Sequence, residues 1–253
     1  MPVAVTRDPH LPVPASVTSA TKTATVLVPA YNEEDGLAAV LEQLAPLRAI
    51  GVDVLVVDDG SRDRTASVGR DAGYRVVERP QNGGKGAAIR SGLRAIETDR
   101  VVIMDADGTY PVHAIPAMLR LLEDHDIVLG ARTIGRNNIP LLNRLGNAAL
   151  RLAIRAVSGF RSADPLTGLY ALRLEQLEAL DLRSNGFGIE AEIAIKSAHL
   201  GLRSVDHPIA YGARIGSSKL HPLRDGLSIA RTILTVGLAA RTSRRHAERR
   251  RGG

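Results

Sequence analysis

The sequence predicts an α/β protein built on a mostly parallel sheet flanked by helices. Three observations carry this. Short apolar runs alternate with segments of helical periodicity over residues 24–132. The runs are continuously apolar, as strands covered on both faces require. Polar clusters follow the first, second and fourth runs at once, at the carboxyl ends where open α/β sheets bind ligands.

The elements follow in order. ATVLVPAY (24–31) reads as a strand, and EEDGLAAVLEQLAPL (33–47) has helical spacing. VDVLVVDDGS (52–61) is a second strand. RDRTASVGRDAG (62–73) is a helix closed by Gly73. YRVVERP (74–80) is a third strand, and GGKGAAIRSGLRAIE (83–97) a helix rich in small residues. RVVIMDADG (100–108), the helix VHAIPAMLRLLE (112–123) and the strand DIVLGAR (126–132) complete the alternation. Beyond Arg132 the pattern changes. NNIPLLNRLGNAALRLAIRAVSG (137–159) is a long amphipathic helix. DPLTGLYALRLEQLEAL (164–180) holds a strand and a short helix, GFGIEAEIAIKSAHLG (186–201) is helical, and LRSVDHPIAYGAR (202–214) is a strand. HPLRDGLSIARTILTVGLAA (221–240) is the final helix. No linker interrupts residues 23–240, so they are expected to form one domain, with halves at 23–132 and 133–240. Residues 1–22 hold four prolines and several Ser and Thr, and read as a flexible leader.

Composition narrows the chemistry. The 253 residues include no Cys, so disulfides and thiolate metal sites are excluded. Any metal takes oxygen or histidine ligands, and the seven histidines show no paired ligand spacing. Trp is absent and aromatics are only 3%, which argues against a surface reading nucleic acid by stacking. The net charge is +6, but the tail RTSRRHAERRRGG (241–253) alone carries six Arg against one Glu, so the body is nearly neutral. That basic tail is either a solvated end or a contact for anionic lipid headgroups. No apolar run reaches the roughly 18 residues of a membrane span. The N-terminus lacks the basic-then-apolar order of a secretory signal. The expected location is therefore cytoplasmic, at the inner membrane face if the tail binds lipid.

The motifs supply the chemistry. VVIMDADGTYP (101–111) ends a buried strand in Asp105 and Asp107, one residue apart. Two such acids are costly without a cation between them. An Asp-x-Asp turn presents oxygen ligands to Mg²⁺ or Mn²⁺ and leaves positions for substrate phosphates. The same letters fit a phosphatase with Asp105 as nucleophile. That chemistry needs a downstream acidic pair, whereas the strong pair here, Asp58-Asp59, lies upstream. Asp58 and Asp59 end their own strand and suit a base edge or ribose hydroxyls, or else cap the next helix. NGGKGAA (82–88) is no Walker A loop. Its glycines permit close backbone approach and Lys85 adds charge, though a plain Gly-rich turn fits equally. Glu190 and Glu192 fit either a helix surface or an active site. Arg214, Ser217 and Lys219 form a loop suited to phosphate, or a solvated turn.

Taken together, VPAYNEE, VVDDGSRDRT, NGGKGAA and DADGTYP, in this order and spacing, resemble the family 2 glycosyltransferases of GT-A fold. The nearest subgroup is the polyprenyl-phosphate type, typified by dolichyl-phosphate mannose synthase. The likeness is strong over about residues 24–132 and continues more loosely through DPLTGLYALR, GFGIEAEI and RIGSSKL. It implies a Rossmann-like GT-A sheet whose first half binds a nucleotide sugar and whose second half binds the acceptor. It implies a metal-dependent transfer from a UDP- or GDP-sugar to a polyprenyl phosphate, with inversion. Pro29, Tyr31, Glu33, Asp58 and Asp59 would belong to the donor side, with Lys85 nearby. Asp105, Ala106 and Asp107 would hold the ion and the diphosphate. Thr109 stands where the family often has a further metal-binding Gln. Arg132 would lie near the acceptor phosphate, and Asp164 and Thr167 on the acceptor side. Glu190 occupies the acidic position where many inverting relatives keep a general base.

A phosphate acceptor is already an anion and needs no strong base. A soluble hydroxyl acceptor would need Glu190 or Asp164 in that role. The last helix, apolar on one face and followed by the Arg tail, suits either a lipid interface or packing against the sheet or a second copy. A nucleotidyltransferase would want a Gly-rich, Arg-bearing first loop, which Pro29-Ala30-Tyr31-Asn32-Glu33 is not.

Overall fold

The computed structural model describes residues 22–134, 138, 141–219 and 222–251. Its seven strands form one sheet in the order β3-β2-β1-β4-β6-β5-β7. Strand β1 (Ala24–Ala30) is buried at every position. It pairs in parallel with β2 (Val52–Asp58) on one side and β4 (Arg100–Met104) on the other. Strand β3 (Arg75–Glu78) continues the parallel half at one edge. Helices α1 (Glu34–Leu44), α2 (Thr65–Asp71), α3 (Lys85–Leu93) and α4 (Ile115–Leu121) connect these strands and cover both faces, with one apolar cluster on each. The small residues of α3 have a packing reason. A Cβ on Gly92 would fall 2.4 Å from Leu27 of β1, so the helix approaches the sheet closely only because that position is bare.

The second half departs from simple alternation. Strand β6 (Leu169–Arg173) inserts antiparallel between β4 and β5 (Ile127–Ile134), which therefore do not pair with each other. Strand β7 (Ser204–Ala210) then adds in parallel at the far edge. Hydrogen bonds at the entry to β6 hold it there. The Asp105 amide donates to the Gly168 carbonyl at 3.2 Å, and the Thr167 hydroxyl donates to the Gly130 carbonyl at 2.6 Å. Apolar patterning marks a strand but not its neighbours, so this insertion was not readable from the sequence.

Four more helices complete the chain: α5 (Leu141–Ser158), α6 (Leu174–Ala179), α7 (Ile189–His199) and α8 (Pro222–Arg251). Helix α7 is buried nearly all round, because α5 and α8 both pack over it. Glu190 and Glu192 are therefore interior residues and not a solvated helix surface. Helix α8 continues past residue 240, through the basic segment, to Arg251. The segment contains Ala, Arg and Glu, all strong helix formers, and meets no Gly or Pro before Gly252. Among the described residues no helix is long and apolar enough to cross a membrane. Apart from Lys22, the expected leader lies outside the described residues.

Candidate active site

A cleft of about 780 Å³ opens at the carboxyl ends of β1, β2 and β4 and extends to the starts of α5 and α8. Its floor is assembled from three loops that hold one another. After β1 the chain turns through Asn32, whose φ of 51° is left-handed, a conformation Asn tolerates better than most residues. The Asn32 side-chain oxygen accepts the Arg62 backbone amide at 2.8 Å, and the Asn32 backbone amide donates to Ser61 Oγ at 2.9 Å. The next amide, of Glu33, donates to Thr65 Oγ1 at 2.9 Å. The loops after β1 and β2 are thus locked together.

Asp59 organises the Gly-rich segment. Its buried carboxylate accepts the Gly84 amide at 2.7 Å and the Gly83 amide at 3.1 Å, and pairs with Arg79. The glycines of this segment make their close approach to the chain at Ser184 and Asn185. A Cβ on Gly86 would lie 2.1 Å from the Ser184 carbonyl oxygen. Asp58 turns away from the cleft, its carboxylate accepting the Ser61 amide at 3.2 and 3.3 Å.

Four carboxylates and two cations form the chemical centre. Lys85 Nζ lies 2.6 Å from Asp105 Oδ1 and 2.6 Å from Glu190 Oε1. Arg214 reaches back from the loop after β7 to pair with Glu33 and, at 2.5 Å, with Asp107 Oδ2. The other Asp107 oxygen accepts the Thr109 amide at 3.1 Å and its hydroxyl at 2.6 Å. Thr109 therefore orients Asp107. Gly168 leaves room for Asp105, since a Cβ there would stand 2.1 Å from its Oδ2.

Burial and charge compete at each group. Burial lowers the affinity of Lys85 for its proton, but the charges of Asp105 and Glu190 outweigh it and hold the ammonium well above its ordinary pKa. Burial raises Asp105, with the Asp107 charge adding to it and Lys85 opposing. Burial likewise lifts Glu190 against the pull of Lys85, and Glu33 against that of Arg214.

Arg132, near the end of β5, also lines the cleft. Asp164 grips it in a fork, accepting Nε at 2.6 Å and Nη2 at 2.8 Å. The guanidinium carbon stands 5.3 Å from the centre of the Tyr211 ring, which meets Tyr110 edge-on at 5.4 Å. Asp164 itself faces a neighbouring small pocket beside Arg144 and Arg151. The Thr167 hydroxyl is spent on Gly130, and Ser217 accepts from Lys219 outside the cleft wall.

The cleft thus brings together Pro29, Tyr31, Glu33, Asp59, Lys85, Asp105, Ala106, Asp107, Arg132, Glu190, Arg214 and Lys219. Asp58, Asp164, Thr167 and Ser217 support it from behind or lie beside it. Sequence reading passed over Tyr110, Tyr211, Asn143, Asn147 and Phe187, which also line it. Asn143 and Asn147 carried a signal, a polar pair four residues apart on one helix face. Tyr110 stood inside the quoted aspartate motif.

The donor set suits a hard divalent ion. No group of three His, Cys, Asp or Glu side chains able to hold a metal exists among the described residues. Asp105 and Asp107 would supply two carboxylates, and substrate phosphate and water the remainder, the usual arrangement for Mg²⁺.

An open, mostly parallel sheet with an acid-lined cleft at its carboxyl edge is the place where α/β enzymes bind their ligands. Comparison with known proteins makes this specific: residues 25–173 match Glycosyl transferase family 2, and the chain belongs to that family. It is 36% identical over 219 residues to a dolichyl-phosphate hexose transferase of Haloferax volcanii, covering 85% of this chain and 94% of that one. It is 32% identical to an undecaprenyl-phosphate mannosyltransferase of Micrococcus luteus, over 85% of this chain and 94% of that one. Among solved structures, glucosyl-3-phosphoglycerate synthase of Mycobacterium tuberculosis, in complex with Mn²⁺, UDP-glucose and phosphoglyceric acid, superposes with a TM-score of 0.67. The two are 27% identical, with 87% of this chain and 81% of the other covered. The fold is the GT-A fold, and the protein is a glycosyltransferase.

Proposed function

We propose that the enzyme transfers a hexose from a nucleoside-diphosphate donor to a polyprenyl phosphate, with inversion and with a divalent ion held by Asp105 and Asp107. One observation favours a phosphate acceptor over a hydroxyl. Both carboxylates suited to act as a base are already engaged, Glu190 by Lys85 and Asp164 by Arg132. An acceptor that arrives ionised needs no base. The names of the Haloferax and Micrococcus relatives support the same acceptor class.

The residues divide the work along the cleft. Tyr31 and Pro29 wall the end beside Asp59, where the nucleoside would lie. A bound Mg²⁺ or Mn²⁺ would act as a Lewis acid, neutralising charge on the leaving diphosphate. Arg214 and Lys219 add N–H donors for phosphate oxygens on the same side. Arg132 orients the acceptor phosphate at the opposite end, with its fork fixed by Asp164 and its face on Tyr211. The apolar residues Leu150, Phe187 and Ile229, which line the same cleft, suit the first isoprene units. Inversion follows if the phosphate oxygen attacks the anomeric carbon directly, on the face opposite the leaving group.

The test is a thermal-shift panel of UDP- and GDP-sugars with Mn²⁺ and Mg²⁺, followed by transfer to a short-chain polyprenyl phosphate. A matched donor raises stability by RT ln(1 + [L]/Kd). Transfer to the phosphate, giving a product of inverted anomeric configuration, supports the reading. Transfer only to hydroxyl acceptors overturns it.

A further inference from the structure

We propose that Asp206 of β7 is a positioning residue for Arg132: it clamps the segment before β6 that aims the Arg132 guanidinium into the cleft. The consequence for acceptor binding rests on the reading above, in which Arg132 holds the acceptor phosphate.

One short stretch of chain aims Arg132. Asp164 accepts the Arg132 backbone amide at 3.1 Å in addition to the fork from Nε and Nη2. The Leu166 carbonyl accepts Nη2 at 2.9 Å. These acceptors all lie within residues 164–166, so the guanidinium follows that stretch wherever it is held. The stretch belongs to no helix or strand, and its position depends on what ties down its two ends. At the end nearer β6, the Thr167 hydroxyl donates to the Gly130 carbonyl at 2.6 Å. At the other end the tie is Asp206. Its Oδ1 accepts the Ser162 hydroxyl at 2.7 Å, and its Oδ2 accepts the Ala163 amide at 2.6 Å. Ser162 Oγ in turn accepts the Asp164 amide at 3.0 Å. A continuous hydrogen-bonded series therefore runs from Asp206 through Ser162 to Asp164, and from there to Arg132.

Asp206 acts from a distance. In the parallel pairing of β5 with β7, Asp206 stands opposite Leu129, and Ile209 stands opposite Arg132. Asp206 is thus set back by three residues, about 10 Å of strand, from the level of Arg132. It does not line the cleft. Nor is it an ion-pair anchor, since among the described residues no cation pairs with its carboxylate. Its two oxygens are divided between two donors of one segment, and such charge-assisted bonds fix direction as well as distance. Arg151 adds a bond to the Ala163 carbonyl at 3.2 Å, longer than either bond from Asp206.

The experiment uses the full chain and the variants Asp206→Ala, Asp206→Asn and Ser162→Ala. Val40→Ala is the control, a buried position of α1 away from the cleft wall. KM is measured for a short-chain polyprenyl phosphate and, separately, for the donor that the thermal-shift panel identifies, together with the melting temperature. A crystal structure of Asp206→Ala is determined in parallel. Asp206→Ala should raise the acceptor KM about tenfold and leave the donor KM within about twofold. Asparagine can accept the Ala163 amide and donate to Ser162 Oγ, so Asp206→Asn should keep the acceptor KM within about threefold of native. Ser162→Ala retains the bond between Asp206 and Ala163 but breaks the link to Asp164. It should raise the acceptor KM about threefold, and it tests the series if Asp206→Ala does not fold. Val40→Ala should lower the melting temperature and move neither KM. Both KM values rising together in Asp206→Ala, or a loss of stability alone as in Val40→Ala, overturns the proposal. So does Asp206→Asn performing no better than Asp206→Ala. The crystal structure should show residues 162–164 drawn away from β7 and the fork on Arg132 opened; an unmoved fork overturns the proposal whatever the acceptor. An opened fork with unaltered transfer to the polyprenyl phosphate would uphold the positioning and refute the acceptor role of Arg132 instead.

Discussion

Glutamine at position 190 separates two roles that the same carboxylate could play. Glu190 is buried, and its Oε1 lies 2.6 Å from Lys85 Nζ, which also holds Asp105. The arrangement makes Glu190 a positioning residue for Lys85, and through it for Asp105. Glutamine keeps an oxygen acceptor toward Lys85, removes the charge, and places its NH2 where Oε2 is buried without a hydrogen-bond partner among the described residues. Hydrogen bonds to charged groups contribute about 1.5–3 kcal/mol and neutral ones about 1 kcal/mol, so the exchange removes about 0.5 to 2 kcal/mol. Burial already disfavours the ionised form of Glu190, which sets the loss in the lower half of that range, about 1 kcal/mol. The ammonium remains paired with Asp105. Leucine at the same position strips away one partner of a buried pair and is expected to cost about 3–5 kcal/mol. The assays are urea denaturation and kcat/KM as a function of pH. Glu190→Gln should lower stability by about 1 kcal/mol and kcat/KM by less than about tenfold, a factor equivalent to about 1.4 kcal/mol. The shape of the pH profile should not change. A fall of about a thousandfold at unchanged stability, with loss of the acidic limb, would make Glu190 a general base and refute the reasoning.

Other outcomes follow from the same geometry. Asp105→Ala should abolish turnover and the thermal stabilisation by Mn²⁺ with donor; full activity of this variant in EDTA would contradict the metal assignment. Gly86→Ala should destabilise by about 1–3 kcal/mol, because its Cβ would meet the Ser184 carbonyl 2.1 Å away; a native-like melting curve would show that the backbone yields freely. Burial raises the pKa of Glu192, but hydrogen bonds from Lys196 and from the Ser184 and Arg183 amides outweigh it and hold the group below its ordinary 4.5. A depressed carboxylate contributes stability above its unfolded pKa and loses it as pH falls through the folded value. Stability should therefore decline below about pH 4.5, and Glu192→Gln should flatten that decline; identical acid titrations of the two proteins would refute it.

The first half of the sheet was legible because its signals are local. Each apolar run of β1, β2 and β4 ends directly in the polar residues it delivers, so strand, turn and site adjoin in the sequence. Asp59, Asp105 and Asp107 could be placed from their own neighbours. The charges they and their neighbours pair with could not. Arg214 reaches Glu33 across 181 positions of chain, and Lys85 reaches Glu190 across 105. The reading of NGGKGAA shows the same limit. Its glycines are consistent with close backbone approach, but the backbone approached is the chain's own, at Ser184.

By itself the sequence determined which segments become strands and helices, and that acidic loops gather along the carboxyl edge of a parallel sheet, since periodicity and strand-end chemistry are properties of neighbouring residues. Only the tertiary structure decided that β6 enters antiparallel between β4 and β5, that α7 is buried nearly all round, and which cation each carboxylate holds. Those outcomes depend on long-range packing and on the cost of leaving a buried charge unpaired. That cost is settled only when distant segments close over the same space.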